Sequence, residues 1–322
     1  TFLSAIHAAR RERPDVALFF IAGNSPMCLI TRGANIPTVI NVDGLDSDRR
    51  KWPAPAQRYL RLAERTAPHW ADRAITDSHA VAEVFERRYG ERIGVVPYGV
   101  EDPGYDGTET LERLGLEPRK YILFVGRLEP ENNPHLLVEA FARFDAERAR
   151  GMKLVIVGGA PYADEYIRGV MRSADPRVLF PGYVFGRGYW ELQRHAYVFC
   201  APTEVGGTHP VILEALAAGN CVLVNDHAPN AETVGDAGLY FSRRVGVDDL
   251  ADQLGRLLED PELVQTYRER ARERAKRYSW DAVADEYEQL LSDVRRRREP
   301  GSLPRELVDV DVPPPAVGVS GP

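Results

Sequence analysis

The sequence predicts an α/β protein built from two doubly wound parallel sheets. Three observations lead there. Short apolar runs recur with amphipathic stretches between them, Gly, Pro, Asn and Asp bound the runs, and the pattern stops and restarts near residue 120. The runs are apolar throughout rather than alternating, as in strands covered on both faces. A chain of 322 residues can bury two such cores.

The chain opens at Thr1 in a helical pattern over residues 2–13. A domain rarely starts there, so an upstream segment or a second chain is expected to complete the first domain. Residues 15–22 (DVALFFIA) and 37–42 (PTVINV) read as buried strands, with Asn24 and Asp43 in the polar stretches that follow them. Residues 74–77 and 93–96 are shorter strands on either side of a helix over 78–89. The first domain is thus residues 1–102, and 103–120, rich in Pro, Gly and charge, is the linker. The second domain, 121–277, reads as strands 121–125, 153–157, 178–180, 198–200, 221–224 and 239–241. Helices 134–149, 163–173, 188–195, 211–218 and 247–258 interleave with them, a complete doubly wound domain. A crossover helix over 281–298, with Ser279 as its cap, closes the fold within residues 278–298. Residues 299–322 turn to Pro, Val and Gly and are expected to be flexible. The arginine run 295–298 reads as a solvated helix end or a contact for an acidic surface.

Composition narrows the function classes. Hydrophobic residues at 44% and charged residues at 28% describe a soluble protein, and a net charge of −7 argues against a general nucleic-acid binder. Cys28, Cys200 and Cys221 each lie in an apolar run without metal-type spacing, so they read as small core residues in a reducing compartment. No run reaches the ~18–20 apolar residues that a membrane span needs, and no stretch reads as a signal peptide, so none is expected. A cytoplasmic location is expected.

The stretch 203–226 (TEVGGTHPVILEALAAGNCVLVND) carries the most chemical information. Gly206 and Gly207 let backbone approach a ligand, and the helix beginning at Pro210 turns its unpaired N–H groups and positive end to the same place. Glu214 is the one acid among Val211, Ile212, Leu213, Ala215 and Leu216, and a carboxylate there can accept from two neighbouring hydroxyls, as on a ribose. Taken alone, the segment fits a tight turn and a dipole-favoured glutamate equally well.

Gly126-Arg127-Leu128-Glu129-Pro130-Glu131-Asn132-Asn133 after the 121–125 strand, Ala217-Ala218-Gly219-Asn220 before the 221–224 strand, Gly235-Asp236-Ala237-Gly238 and Tyr278-Ser279-Trp280-Asp281 together resemble the family 4 retaining glycosyltransferases of GT-B fold. The resemblance spans residues 16–291. Asn41-Val42-Asp43-Gly44-Leu45, Arg49-Arg50-Lys51-Trp52 and Thr203–Pro210 resemble a bacterial branch of rhamnosyltransferase type. It implies two Rossmann-like domains facing a cleft, the first lacking its opening strand and glycine-rich loop. It also implies a nucleotide diphosphate sugar as donor, a glycan or lipid-linked acceptor, peripheral contact with the membrane, and neither metal nor cofactor.

Roles follow residue by residue from the resemblance. Gly126 and Arg127 match the glycine and arginine that meet the donor diphosphate, where negative charge develops as the glycosidic bond breaks. Glu214 matches the second glutamate of the Glu-x7-Glu motif, on the ribose. Gly206 stands in the place of the first, so either Glu204 serves or the Gly206–His209 stretch, Thr208 included, contacts the sugar through backbone N–H groups and the His209 ring. Asn132 replaces a common lysine. Asp43 stands near the place of a histidine and orients an acceptor hydroxyl or takes its proton; an Asx turn before Gly44 explains it equally well. Ser78 and Tyr98 line the acceptor side or are a helix cap and a turn tyrosine, and Asn24 is a further cleft candidate. Gly158 and Gly159 lie on the nucleobase side, and His195 is packed on its helix. A sugar-nucleotide 2-epimerase and an inactive, nucleotide-binding regulatory protein are the rival readings.

Overall fold

A computed structural model describes residues 1–296, so the stretch 299–322 lies outside the described residues. The chain divides into two compact units. Unit 1 holds Thr1–Gly99, the four residues Val205–Thr208 and, among the described residues, the helix Trp280–Arg296. Unit 2 holds Val100–Glu204 and His209–Ser279.

In unit 1 four parallel strands lie in the order β1 (Ala17–Phe20), β2 (Thr38–Asn41), β3 (Arg73–Thr76) and β4 (Gly94–Val95). Side chains alternate across a strand, so β2 splits between two cores. Val39 joins Ile75 and Val96 beneath Val283, Leu290 and Val294 of the helix Trp280–Arg296. Ile40 faces Cys28, Ala67, Val81 and Phe85 on the other side. A buried carboxylate ties this unit together. Glu64, fully buried, accepts from the Ser47 N–H (2.9 Å), the Ser47 hydroxyl (2.8 Å) and the Tyr89 hydroxyl (2.6 Å). These bonds anchor the loop that follows Asp43. Burial raises the Glu64 pKa above its ordinary value, and the three donors pull it back.

Unit 2 carries six parallel strands in the order β10-β9-β8-β5-β6-β7. They are β5 (Tyr121–Val125), β6 (Lys153–Val157), β7 (Val178–Gly182), β8 (Val198–Ala201), β9 (Cys221–Asn225) and β10 (Gly238–Phe241). Ile122, Phe124, Leu154, Ile156, Val198 and Leu223 supply one face, under the helices Pro134–Ala142 and Val247–Glu259. Leu123, Val155, Phe199 and Val222 supply the other, under the helix Pro210–Ala217. Cys28, Cys200 and Cys221 are free and buried, and burial pushes the Cys28 and Cys221 thiols up to about 12.

Several elements differ from the sequence reading. The opening helix is α-helical over Phe2–His7 and continues as a π-turn over Ala8–Glu12. The helix expected over 134–149 stops at Ala142, because the Asp145 carboxylate takes the Arg148 N–H (2.8 Å) into a turn. Helices Ser25–Gly33, Ala54–Trp70, Glu109–Arg113 and Ala228–Val234 were not anticipated as elements, and a helix over Pro261–Ala275 precedes the last one. Prolines stand near the starts of three of the first four, and Pro68 lies inside the second. The last helix opens at Trp280, immediately after Ser279. Within its arginine run, Arg295 pairs with Asp15 at 3.4 Å and Arg296 with Asp293. No helix among the described residues is long and apolar enough to cross a membrane.

Phe199 is fully buried in a central strand of unit 2, packed in the core under the helix Pro210–Ala217. Phe199→Ala is expected to cost about 3–5 kcal/mol, read as a lowered urea midpoint.

Candidate functional site

In unit 2 the strand order reverses between β5 and β8, and ligands of open α/β sheets bind outside the carboxyl ends of strands at such a point. Gly126 and Arg127 leave β5 there, and Pro202–Glu204 leave β8 beside them. The two loops are tied directly. The Asn133 amide donates to the Pro202 carbonyl (2.9 Å), and the Glu204 N–H to the Glu131 carbonyl (3.0 Å). The floor is backbone on backbone: Gly158, at φ 127°, lies so close to the Gly126 carbonyl that a Cβ would overlap its oxygen. The Arg127 side chain is half exposed, and its guanidinium stands 3.6 Å from buried Glu129, which also accepts from the Tyr162 hydroxyl. Asn132 turns inward and donates to the Arg127 carbonyl (2.7 Å), so it braces the loop.

The second half of this site is the start of the helix Pro210–Ala217, with His209 as N-cap. A chain of buried amides fixes the His209 ring. Asn225 donates to the Pro202 and Thr203 carbonyls (2.9 Å each), and its Oδ1 accepts from the His227 N–H (3.2 Å) and from the Asn230 amide (2.8 Å). The Asn230 amide also donates to the Thr203 carbonyl (3.0 Å), which leaves its Oδ1 facing His209 Nδ1 at 3.0 Å as an acceptor. His209 therefore carries its proton on Nδ1. Glu214, one turn into the helix, accepts from the Tyr189 hydroxyl, which itself accepts from Gln193 (2.9 Å). Burial raises the Glu214 pKa, and the Tyr189 bond opposes the rise. His195 is packed as expected from its helix, its ring largely buried and 3.6 Å from Asp106.

In unit 1 the corresponding strand ends carry Asp43, Asp77, Ser78 and Tyr98. Asp43 sits in the left-handed region at φ 58°. The expected Asx turn exists but belongs to Asn41, whose Oδ1 accepts from the Asp43 N–H (2.8 Å) while its amide donates to the Tyr287 hydroxyl (2.9 Å). The Asp43 side chain is thereby left out of the turn. Its carbonyl accepts from the Thr76 hydroxyl (2.8 Å). Asp77, 2% exposed, accepts from the Thr208 N–H (3.3 Å) on its carboxylate and from the Thr208 hydroxyl (2.8 Å) on its carbonyl. A Cβ on Gly44 would stand 2.7 Å from the Gly207 nitrogen and 2.8 Å from the Gly206 Cα, and one on Gly207 would overlap the Asp77 carboxylate. Gly206 itself has φ 134°, so a glutamate would be strained in the place it occupies. Ser78, fully buried, takes the N-cap position of the helix His79–Tyr89. Tyr98 is half buried, and burial together with the Asp43 and Asp77 charges raises its pKa. Asn24 lies apart from these residues, at the N-cap of the helix Ser25–Gly33, and its amide donates to the Phe20 carbonyl (2.7 Å).

Asp77, Tyr189, Asn225 and Asn230 were not singled out from sequence. Each is a polar residue at a strand end or helix face whose partner lies 5 to 131 residues away, except that Asp77 directly precedes Ser78 at the end of an apolar strand. Among the described residues no group of three or more His, Cys, Asp or Glu side chains is placed to hold a metal ion. Gly207→Ala is expected to destabilise unit 1 by about 1–3 kcal/mol through that overlap with Asp77. Gly33→Ala, where a Cβ meets nothing within 4 Å, serves as the neutral control in the same denaturant melts.

Residues 108–274 match the family described as glycosyl transferases group 1, and residues 1–102 match glycosyltransferase family 4. The N-acetylgalactosamine-N,N'-diacetylbacillosaminyl-diphospho-undecaprenol 4-alpha-N-acetylgalactosaminyltransferase of Campylobacter jejuni is 31% identical over 55% of this chain and 48% of its own length. The D-inositol 3-phosphate glycosyltransferase of Acidothermus cellulolyticus is 32% identical over 72% of this chain and 55% of its own. The chain thus spans about half the length of these relatives. Among solved structures, HepE of Anabaena in complex with UDP and glucose superposes with a TM-score of 0.73 at 19% identity, covering 85% of this chain and 77% of that one. The fold is GT-B, and the chain belongs to the group 1 glycosyl transferases.

Proposed function

We propose that the protein is a retaining glycosyltransferase that moves a hexose from a nucleotide diphosphate sugar to a hydroxyl of a bacterial glycan or lipid-linked acceptor. The observation that carries this reading is the pairing, at one switch point of unit 2, of the half-exposed Arg127 guanidinium with a helix start that holds the partly buried Glu214. Two hydroxyls of a ribose and a diphosphate are the ligand features that such a set complements. HepE with UDP and glucose supports a nucleotide donor, and the diphospho-undecaprenol in the name of the Campylobacter jejuni relative supports a lipid-linked acceptor. The stretches Asn41–Leu45, Arg49–Trp52 and Thr203–Pro210 favour rhamnose as the hexose.

In this mechanism the bond from the sugar C1 to the phosphate oxygen breaks while the acceptor oxygen bonds to C1 on the same face. The acceptor proton passes to the departing phosphate. Arg127 and the start of the helix Pro210–Ala217 neutralise the charge that develops on the leaving group, and no metal is assigned to it. Glu214, oriented by Tyr189, holds the ribose. Asp43 of unit 1 takes the acceptor hydroxyl, and Gly206, Gly207 and Thr208 present backbone to the sugar.

Thermal shift and calorimetry against UDP, GDP, dTDP and their sugars test the donor site, since a bound ligand raises the melting point by mass action. One nucleotide is expected to stabilise the chain, and Arg127→Ala and Glu214→Ala each to weaken it about ten- to hundredfold, the ~1.5–3 kcal/mol of a charged hydrogen bond. Equal affinity in both variants sinks the site. With the donor in hand, NMR of the product should show the donor's own anomeric configuration; the opposite anomer rules out retention.

A further inference from the structure

The carboxyl ends of β2 and β3 bring two acids into contact in unit 1. The β2–β3 register, with Asn41 opposite Ile75, carries on to set Asp43 opposite Asp77, the Thr76 hydroxyl ties the two loops through the Asp43 carbonyl (2.8 Å), and both carboxylates, when ionised, are acceptors only. Asp77 Oδ1 has the Thr208 N–H, but its buried Oδ2 has no donor facing it. The surroundings fix both residues in place. Asp43 is pinned through its N–H and carbonyl to Asn41 and Thr76, and Asp77 through its carbonyl and Oδ1 to Thr208, with Gly207 packed against its carboxyl. Two bare carboxylates so held would repel, and a proton between them satisfies the orphaned oxygen and removes the repulsion at once.

We propose that Asp77 carries a proton at neutral pH and donates it to Asp43, acting as a positioning residue that holds the Asp43 carboxylate in one orientation. Asp43 is partly exposed and Asp77 buried, so the pair offers one reachable carboxylate backed by a hidden acid. The role of that carboxylate toward an acceptor hydroxyl rests on the glycosyltransferase reading; the shared proton does not.

The other groups around the pair do not all act alike. Tyr98, after β4, and Tyr287, on the helix Trp280–Arg296 beside Glu286, bring no cation to it, whereas the Thr208 N–H, donating to the Asp77 carboxylate, favours its ionised form. The N-terminus of the helix His79–Tyr89, with His79 its first residue, acts against the proton. Burial, reinforced by the Asp43 charge, prevails and pushes Asp77 up to about 8.

The sign of the pH effect follows. An acid whose pKa is raised from 3.8 to about 8 on folding contributes stability that is fully present below the lower value and is lost as pH rises through the upper one. Asp77→Asn places an N–H where the proton sits and does not titrate. Melting of the free protein between pH 5 and 9 should therefore show the variant gaining on the wild type up to about pH 8 and level beyond it. In carbon-13 NMR of the aspartate carboxyls, the resonance absent from Asp77→Asn should titrate near 8 in the wild type. A melting difference that does not vary with pH, or a resonance that titrates at the ordinary aspartate value, overturns the proposal. In a transfer assay Asp77→Asn should restore at least tenfold of the kcat that Asp77→Ala loses, with KM little moved; equal loss in both overturns the positioning role. Absence of transfer by the wild type overturns the glycosyltransferase reading, and the melting and NMR results still decide the shared proton.

Discussion

Parallel pairing sends the carboxyl ends of all strands in a sheet to one edge, and the polar residues of this protein depend on that constraint. In unit 2 it sets the loop after β5 beside the loop after β8, and in unit 1 the loop after β2 beside that after β3. Strands this closely spaced leave little room for side chains at their ends. Backbone therefore packs on backbone, with Gly158 against Gly126 and Gly44 against Gly206 and Gly207. The glycines at these sites answer to close approach more than to flexibility.

Buried charge is the second organising feature. Glu64 and Asp77 are carboxyls removed from water and Glu214 is partly so, and each meets the loss differently. Glu64 collects three donors and holds a loop. Glu214 has the Tyr189 hydroxyl on one oxygen. Asp77 faces another acid. Arg268, also buried, donates to the Ala196 and Arg194 carbonyls at 2.9 and 3.3 Å, and burial lowers its pKa to about 9. Its bonds reach the end of a helix and the turn before β8, far along the chain from its own position. Groups of this kind are costly unless satisfied, which makes them strong constraints on geometry.

The strands were legible from sequence because parallel strands covered on both faces are apolar over most of their length. All ten strands of the described residues fall on the apolar runs, within one or two residues. The helices were less so. Ala54–Trp70 follows one proline and contains two more, Pro55 and Pro68, residues that ordinarily break a helix and so mask the element in the sequence. Glu109–Arg113 is too short to show any period. Among the candidate site residues, Arg127 was named through the family resemblance and Glu214 as the one acid in an apolar run. Tyr189 and Asp77 were not, since an ordinary tyrosine and a strand-end aspartate gain their meaning only from partners that the fold delivers.

From the sequence alone came the two-sheet α/β architecture, the family and the chemical types at the strand ends, because apolar patterning and short motifs are local properties of the chain. Tertiary structure decided which of those residues touch. It gave the Asx turn to Asn41 and freed the Asp43 side chain, turned Asn132 inward, fixed the His209 proton on Nδ1 through two buried asparagines, and set Asp77 against Asp43. Each of these rests on a hydrogen bond or a steric limit between groups whose separation in sequence bears no relation to their distance in space.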